Sequence, residues 1–402
     1  MKSFNKKTMI QKEKKEKTHN KKRIRKEKAS FKVDIALVFI IAFLMMFGII
    51  MVYSASYSTS FSSFGNHVFY LKKQLLWSLI GIICMYVVSK IPYKFISNNW
   101  MLAYATAIIC LVLVLIIGEE INGAKRWLDF KIIGFQPSEL AKLAVILSMA
   151  MVLNKTKKHI TNWKVLLVDL VVVIIPTILV ARENMSTAFV IFIIGAGMIF
   201  ITMPNFKSVL KYMILPGGVL LGLMFVLSGI FIKDYQMIRW QTFIDGPWSD
   251  PTGKGYQTVQ SLYAVGSGGL FGKGLGNSMQ KNGFIPEAHN DIIFSIVCEE
   301  LGLFGAVCLI ILFLMLLYRC LNIALNAKDT LGMLIVAGIM IQIGIQVMIN
   351  LAVVTNSMPN TGMPLPFISY GGSSLLFLMI EMGLVLNISR NSGKEQLAVS
   401  FK

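Results

Sequence analysis

From Asp34 onward the chain alternates long apolar runs with short polar breaks. The first run, Ile35 to Val52, is eighteen residues without a charge, nearly enough as a helix to cross a bilayer core of roughly 30 Å. No small-x-small cleavage site closes it before Tyr53 and Ser54, so it reads as a spanning anchor and not as a cleaved signal peptide. Runs of the same kind fall at about 74–89, 100–118, 137–153, 165–181, 187–203, 209–232, 292–317, 331–354 and 366–388. The pattern predicts an all-α polytopic membrane protein of ten spans. Between the seventh and eighth runs lies the longest hydrophilic connection, Lys233 to Asn290. It carries Tyr235, Trp240, Trp248, Tyr256 and Tyr263, rings that suit a compact lid folded back on the headgroup level.

Charge sets the orientation. Lys plus Arg number 39 against 20 Asp plus Glu, a net +19, and residues 1–32 hold 14 basic residues and 3 Glu, which is +11 of it. The positive-inside rule places this tail in the cytoplasm, and ten spans return the C-terminus to the same side. The expected division is a basic cytoplasmic tail at 1–33, a membrane domain at 34–390 with an extracytoplasmic loop at 233–290, and a cytoplasmic C-terminal tail at 391–402. Such a tail suits anionic lipid, and without a base-reading domain it does not make a nucleic-acid binder. At 55% hydrophobic and 15% charged, the composition excludes a disordered, fibrous or disulfide-stapled chain. The five cysteines lack CxxC spacing and the four histidines are scattered, so no metal cage is predicted. The GKG at 272–274 fails the phosphate-loop pattern, with Ser267 and Gly274 at two of its required positions.

Ionisable residues at bilayer depth are costly and mark candidate sites. Glu139 and Lys142 share a helix face three residues apart and can serve either a substrate or each other. Pro286 to Glu300, PEAHNDIIFSIVCEE, brings Glu287, His289 and Asp291 to the mouth of the eighth span. Glu299 and Glu300 lie two turns deeper, placed to bind neighbouring helices. Residues 119–139 form a polar island in which Lys125 and Arg126, on a turn flanked by glycine, suit a phosphate or diphosphate. In Asn356 to Ser374, three prolines and Gly371 with Gly372 point to irregular backbone around Ser369 that shapes a cavity.

Five stretches in order, NGAKRWL at 122–128, QPSE at 136–139, AVGSGGLFGKGLG at 264–276, PEAHNDIIFSIVCEELG at 286–302 and TGMPLPFISYGGSS at 361–374, resemble the shape, elongation, division and sporulation family over about residues 34–390. That resemblance implies ten transmembrane helices and a peptidoglycan glycosyltransferase that polymerises lipid II, inverting the anomeric centre and releasing undecaprenyl diphosphate. It also implies a class B penicillin-binding transpeptidase partner among other divisome membrane proteins, and the division branch of the family over the elongation branch. Asp291 becomes the expected catalytic carboxylate. Lys125, Arg126, Glu139, Lys142, Arg182, Lys273, Glu287, His289, Ser369 and Gly371 become the expected substrate-binding set, with Arg239 a further cation for the diphosphate. Two positions depart from the family pattern: Asn290 stands where threonine is common, and Asn184 where an aspartate is common. No protein-held cofactor is implied, although a divalent cation, Mg2+ or Mn2+, could ride on the substrate phosphates with one carboxylate. A lipid flippase, which would move substrate without making glycan bonds, and a noncatalytic scaffold, which would tolerate Asp291→Asn, are the rival classes.

Overall fold

The computed structural model describes residues 34–121, 124–129, 134–204 and 234–392. The basic tail, the expected span at 209–232 and residues 393–402 lie outside these described residues. Among the described residues nine helices are long and apolar enough to cross a membrane. They are α1 (Ile35–Phe64), α2 (Phe69–Lys90), α4 (Trp100–Ile117), α5 (Pro137–Thr156), α6 (Trp163–Ala181), α7 (Met185–Thr202), α10 (Ile293–Leu325), α11 (Thr330–Val354) and α12 (Gly372–Ser392). The short α3 (Tyr93–Asn98) links α2 to α4, and α8 (Asp234–Ile244) and α9 (Tyr256–Ser267) lie in the long hydrophilic connection.

Helix starts follow local chemistry. Asp34 caps α1 by accepting from the Leu37 amide at 3.0 Å, Asn184 caps α7 through Thr187 at 3.1 Å, and Asp329 caps α11 through Gly332 at 2.9 Å. Pro137 opens α5 where an amide would have no partner, with Glu139 in the first turn. Helices α5, α11 and α12 are mostly buried and form the centre, whereas α2 and α4 keep most of their Leu, Ile and Val side chains outward. That distribution suits an apolar solvent around the bundle.

The polar island is not a turn alone. Residues Glu119–Ile121 (β1), Ala124–Asp129 (β2) and Gly134–Phe135 (β3) form an antiparallel sheet in the order β1-β2-β3. Asn350 ties the residues before α10 to the loop before α12, and Arg126 of β2 lines one cavity with Thr361 of that loop, so these three share one end of the bundle, the sheet end. The opposite end is tied by Tyr93 and Lys94 to Asp329, by Lys157 to Thr330, and by Arg319 to Asp34.

Helix α10 is broken at Gly302, where φ is 68° and ψ −168°, a conformation open essentially to glycine alone. The glycine-rich segment 266–276 fills the break. Its Lys273 and Gly274 amides donate to the Glu299 and Glu300 carbonyls at 2.9 Å, while the Leu303 and Phe304 amides donate back to Gly269 and Leu270. A Cβ on Gly302 would lie 2.3 Å from the Gly272 nitrogen. This segment is therefore a backbone plug that takes carbonyls the broken helix leaves free.

Candidate active site

Asp291 sits two residues before α10. Its carbonyl accepts from Asn350 of α11 at 2.7 Å, and the same amide nitrogen reaches the Met363 carbonyl at 2.8 Å. One buried side chain thus fastens the loop before α10 to the proline-rich loop before α12. The Tyr370 amide adds a second tie, donating to the His289 carbonyl at 2.9 Å. Gly362, at φ 68°, lets the second loop pass between two charged groups: a Cβ there would stand 3.7 Å from both Arg239 Nη1 and Asp291 Oδ2.

Asp291 keeps part of its surface exposed, but its carboxyl is desolvated, which pushes it above the usual carboxylate range. Glu287 pushes the same way, while Arg239 and Arg126 pull against both. His289 is also buried, which drops its ring to about 4 and keeps it neutral at pH 7; among the described residues its Nδ1 has no hydrogen-bond partner. The ring packs between Tyr70 at 4.2 Å and Tyr370 at 5.5 Å, centroid to centroid. Burial raises the Tyr370 phenol to about 12. Beside a ring and a phenol that both stay neutral at pH 7, Asp291 is a carboxylate whose proton affinity is raised.

On the other side of Arg239 and Thr361, and not lined by Asp291 itself, lies a cavity of about 390 Å³ between β2, α7, α8, α11 and the proline-rich loop. Arg126 and Arg239 project into it with Asn184, Gln236 and Thr361, and Phe189, Trp240 and Met358 supply an apolar wall. Arg126 is aimed by Glu183: its Nε donates to the Glu183 carbonyl at 2.8 Å, while the Lys125 amide donates to the Glu183 carboxylate at 2.7 Å. Cations facing an apolar chamber suit a lipid bearing a diphosphate.

The other expected residues divide by place. Glu287 is exposed and accepts from Asn290 at 2.8 Å, which gives Asn290 a positioning task at φ-strained backbone, Glu287 having φ 48°. Arg182 is exposed at the end of α6. Glu139 and Lys142 pair at 2.9 Å inside α5, close to Glu381, which accepts from Gln342. A water-sized cavity of about 20 Å³ separates Glu139 from Ser369, whose hydroxyl accepts from the Leu365 amide at 2.8 Å. Gly371 lies at the start of α12, where its carbonyl takes the Leu375 amide. Lys273 lies behind the break in α10, bound to Glu299 at 2.7 Å, away from the arginine-lined cavity. Sequence reasoning missed Gln236, Trp240 and Asn350; the last is a polar residue in an apolar run, a signal that attention to ionisable residues alone passes over.

A family model described as "Cell cycle protein", that of FtsW, RodA and SpoVE, matches residues 35–394. The chain belongs to that family. Among curated FtsW/RodA/SpoVE relatives, it is 38% identical to "Stage V sporulation protein E" of Bacillus subtilis, over 89% of this chain and 97% of the relative. It is 36% identical to the "Probable peptidoglycan glycosyltransferase FtsW" of Trichlorobacter lovleyi, over 89% and 93%. A chain of a solved assembly described as "Structural coordination of polymerization and crosslinking by a peptidoglycan synthase complex" superposes with TM-score 0.74 at 26% identity, covering 91% of this chain and all of that one. The RodA of Thermus thermophilus superposes with TM-score 0.63 at 26% identity, over 90% and 98%.

Proposed function

We propose that this chain is a peptidoglycan glycosyltransferase that polymerises lipid II, with Asp291 as its general base. The observation that carries the reading is one desolvated carboxylate within electrostatic reach of Arg239 and Arg126, which themselves line an apolar cavity, in a chain of the FtsW/RodA/SpoVE family. The C4 hydroxyl oxygen of one lipid-linked sugar attacks the anomeric carbon of the growing glycan. Its proton passes to the Asp291 carboxylate, and the bond from the anomeric carbon to the diphosphate oxygen breaks with its electron pair. Undecaprenyl diphosphate leaves, its charge offset by the two arginines. A diphosphate is a good leaving group, so one base suffices where a glycosidase uses two carboxylates. The raised proton affinity of Asp291 makes it a stronger base than an ordinary aspartate.

A divalent cation, if used, would be held mainly by the substrate phosphates with one carboxylate; among the described residues no group of three His, Cys, Asp or Glu side chains is placed to hold one. The membrane unit at 34–390 would carry the chemistry, with both tails cytoplasmic, the sugars handled outside, and a class B penicillin-binding transpeptidase docked on the bundle at the division septum. Purified wild type should convert labelled lipid II into glycan chains, and Asp291→Asn should not. Normal polymer from the variant would refute the assignment, and a tagged copy along the side wall would refute the septal role.

A further inference from the structure

A second cavity, of about 240 Å³, lies across α8 from the first. Helix α8 is a partition between them. Gln236 and Trp240 face the first cavity, Ile238, Thr242 and Phe243 face the second, and Arg239 borders both, as do Pro359 and Asn360. The two linings differ in chemistry. The first offers cations against an apolar wall. The second gathers hydroxyls and amides: Thr242, Thr258, Gln257, Asn356 and Asn360, with Lys254 at the rim and Phe243 as an apolar floor. Asn360 holds the second cavity's wall in place, donating to Gln257 Oε1 at 2.8 Å while its carbonyl accepts from Arg239 at 3.3 Å. Hydroxyl and amide groups beside a ring that can cover C–H faces are what a pyranose with N-acetyl substituents binds. The volume equals roughly eight waters at ~30 Å³ each, room for a single sugar unit.

We infer that this second cavity is a saccharide subsite: it takes a sugar of the lipid-linked substrate, while the first cavity takes the diphosphate and the adjoining lipid. The assignment rests on the glycosyltransferase reading above. It places Arg239, the residue common to both chambers, at the junction of sugar and diphosphate, where the bond to be broken lies, with Asp291 across Gly362. Thr258 and Thr242 then determine how tightly the sugar is held without touching the reacting atoms.

The test compares two ligands on the full-length purified protein: lipid II, and undecaprenyl diphosphate, which has no sugar. Thr258→Val and Thr242→Val are each expected to weaken lipid II binding about tenfold and to leave undecaprenyl diphosphate binding unchanged, which also reports that the variant is folded. In polymerisation, KM should rise by a similar factor with kcat kept within about threefold. Thr258→Trp, which fills the chamber, should abolish the preference for lipid II over undecaprenyl diphosphate. Unchanged lipid II affinity in all three variants, or equal loss of both ligands, would overturn the subsite. Wild type that binds both ligands but makes no glycan would refute the glycosyltransferase reading, and the difference in affinities would still decide the subsite.

Discussion

Asp291 and Glu300 belong to one short stretch of chain, yet their surroundings are opposite. Glu300 is fully buried and fully engaged at one oxygen: Ser54 of α1 donates at 2.6 Å and Lys281 at 2.7 Å, and Lys281 also donates to the Ser54 hydroxyl at 2.8 Å. Its neighbour Glu299 accepts from Lys273, Ser278 and the Met279 amide. Among the described residues Asp291 has two arginines within electrostatic reach and no ion pair drawn tight, and those arginines line a cavity. Both carboxylates look alike in sequence, as acidic residues where a membrane is costly. Partner accounting separates them: the glutamates have spent their charge on holding α1, α10 and the 266–281 segment together, and the aspartate has kept its charge for a visitor.

The sharpest way to break this contrast is Asp291→Asn. A positioned base contributes about 10²–10⁴-fold, so polymer formation should fall by that factor. Thermal unfolding should stay at or above the wild-type value, because burial already disfavours the ionised form in the folded state. Lys281→Met should do the reverse. It strands the buried Glu300 charge, a loss of about 3–5 kcal/mol of stability read from the unfolding midpoint, and adding Glu300→Gln should recover part of it. Gly302→Ala comes next, at about 1–3 kcal/mol for forcing a side chain into that backbone region, more if the plug does not give way. The smallest effect is a displacement along the pH axis. Asp291 acts only when ionised, so the acid limb of kcat/KM should fall at a pH above that of an ordinary aspartate. An acid limb at or below the ordinary value would mean that the arginines outweigh burial.

Much of the fold was legible because length and polarity decide a membrane span with little help from tertiary contacts. The ends were not. Helix α1 continues to Phe64 through Ser, Thr and Tyr residues that are polar but compatible with a helix. Helix α12 begins at Gly372 and not at 366, because the proline-rich segment and Phe367, at φ 65°, hold the chain in another path. Strands of three and two residues are too short to show an alternating pattern, and the six of β2, AKRWLD, do not alternate. At the site, the family motif pointed to Asp291 and Arg126, but the pairing of Lys273 with Glu299, 26 residues away, follows from the plug and from no local signal. Glu183 was visible only as a charge between two spans; its hold on Arg126 depends on β2 meeting the start of α7.

The seam at Gly302 makes the first part of α10 a peg rather than the upper length of a continuous rod. Segment 266–276 grips both sides of that seam, at Glu299 and Glu300 on the peg and at Leu303 and Phe304 beyond it, so the chain that follows α9 joins the two halves where the helix itself does not.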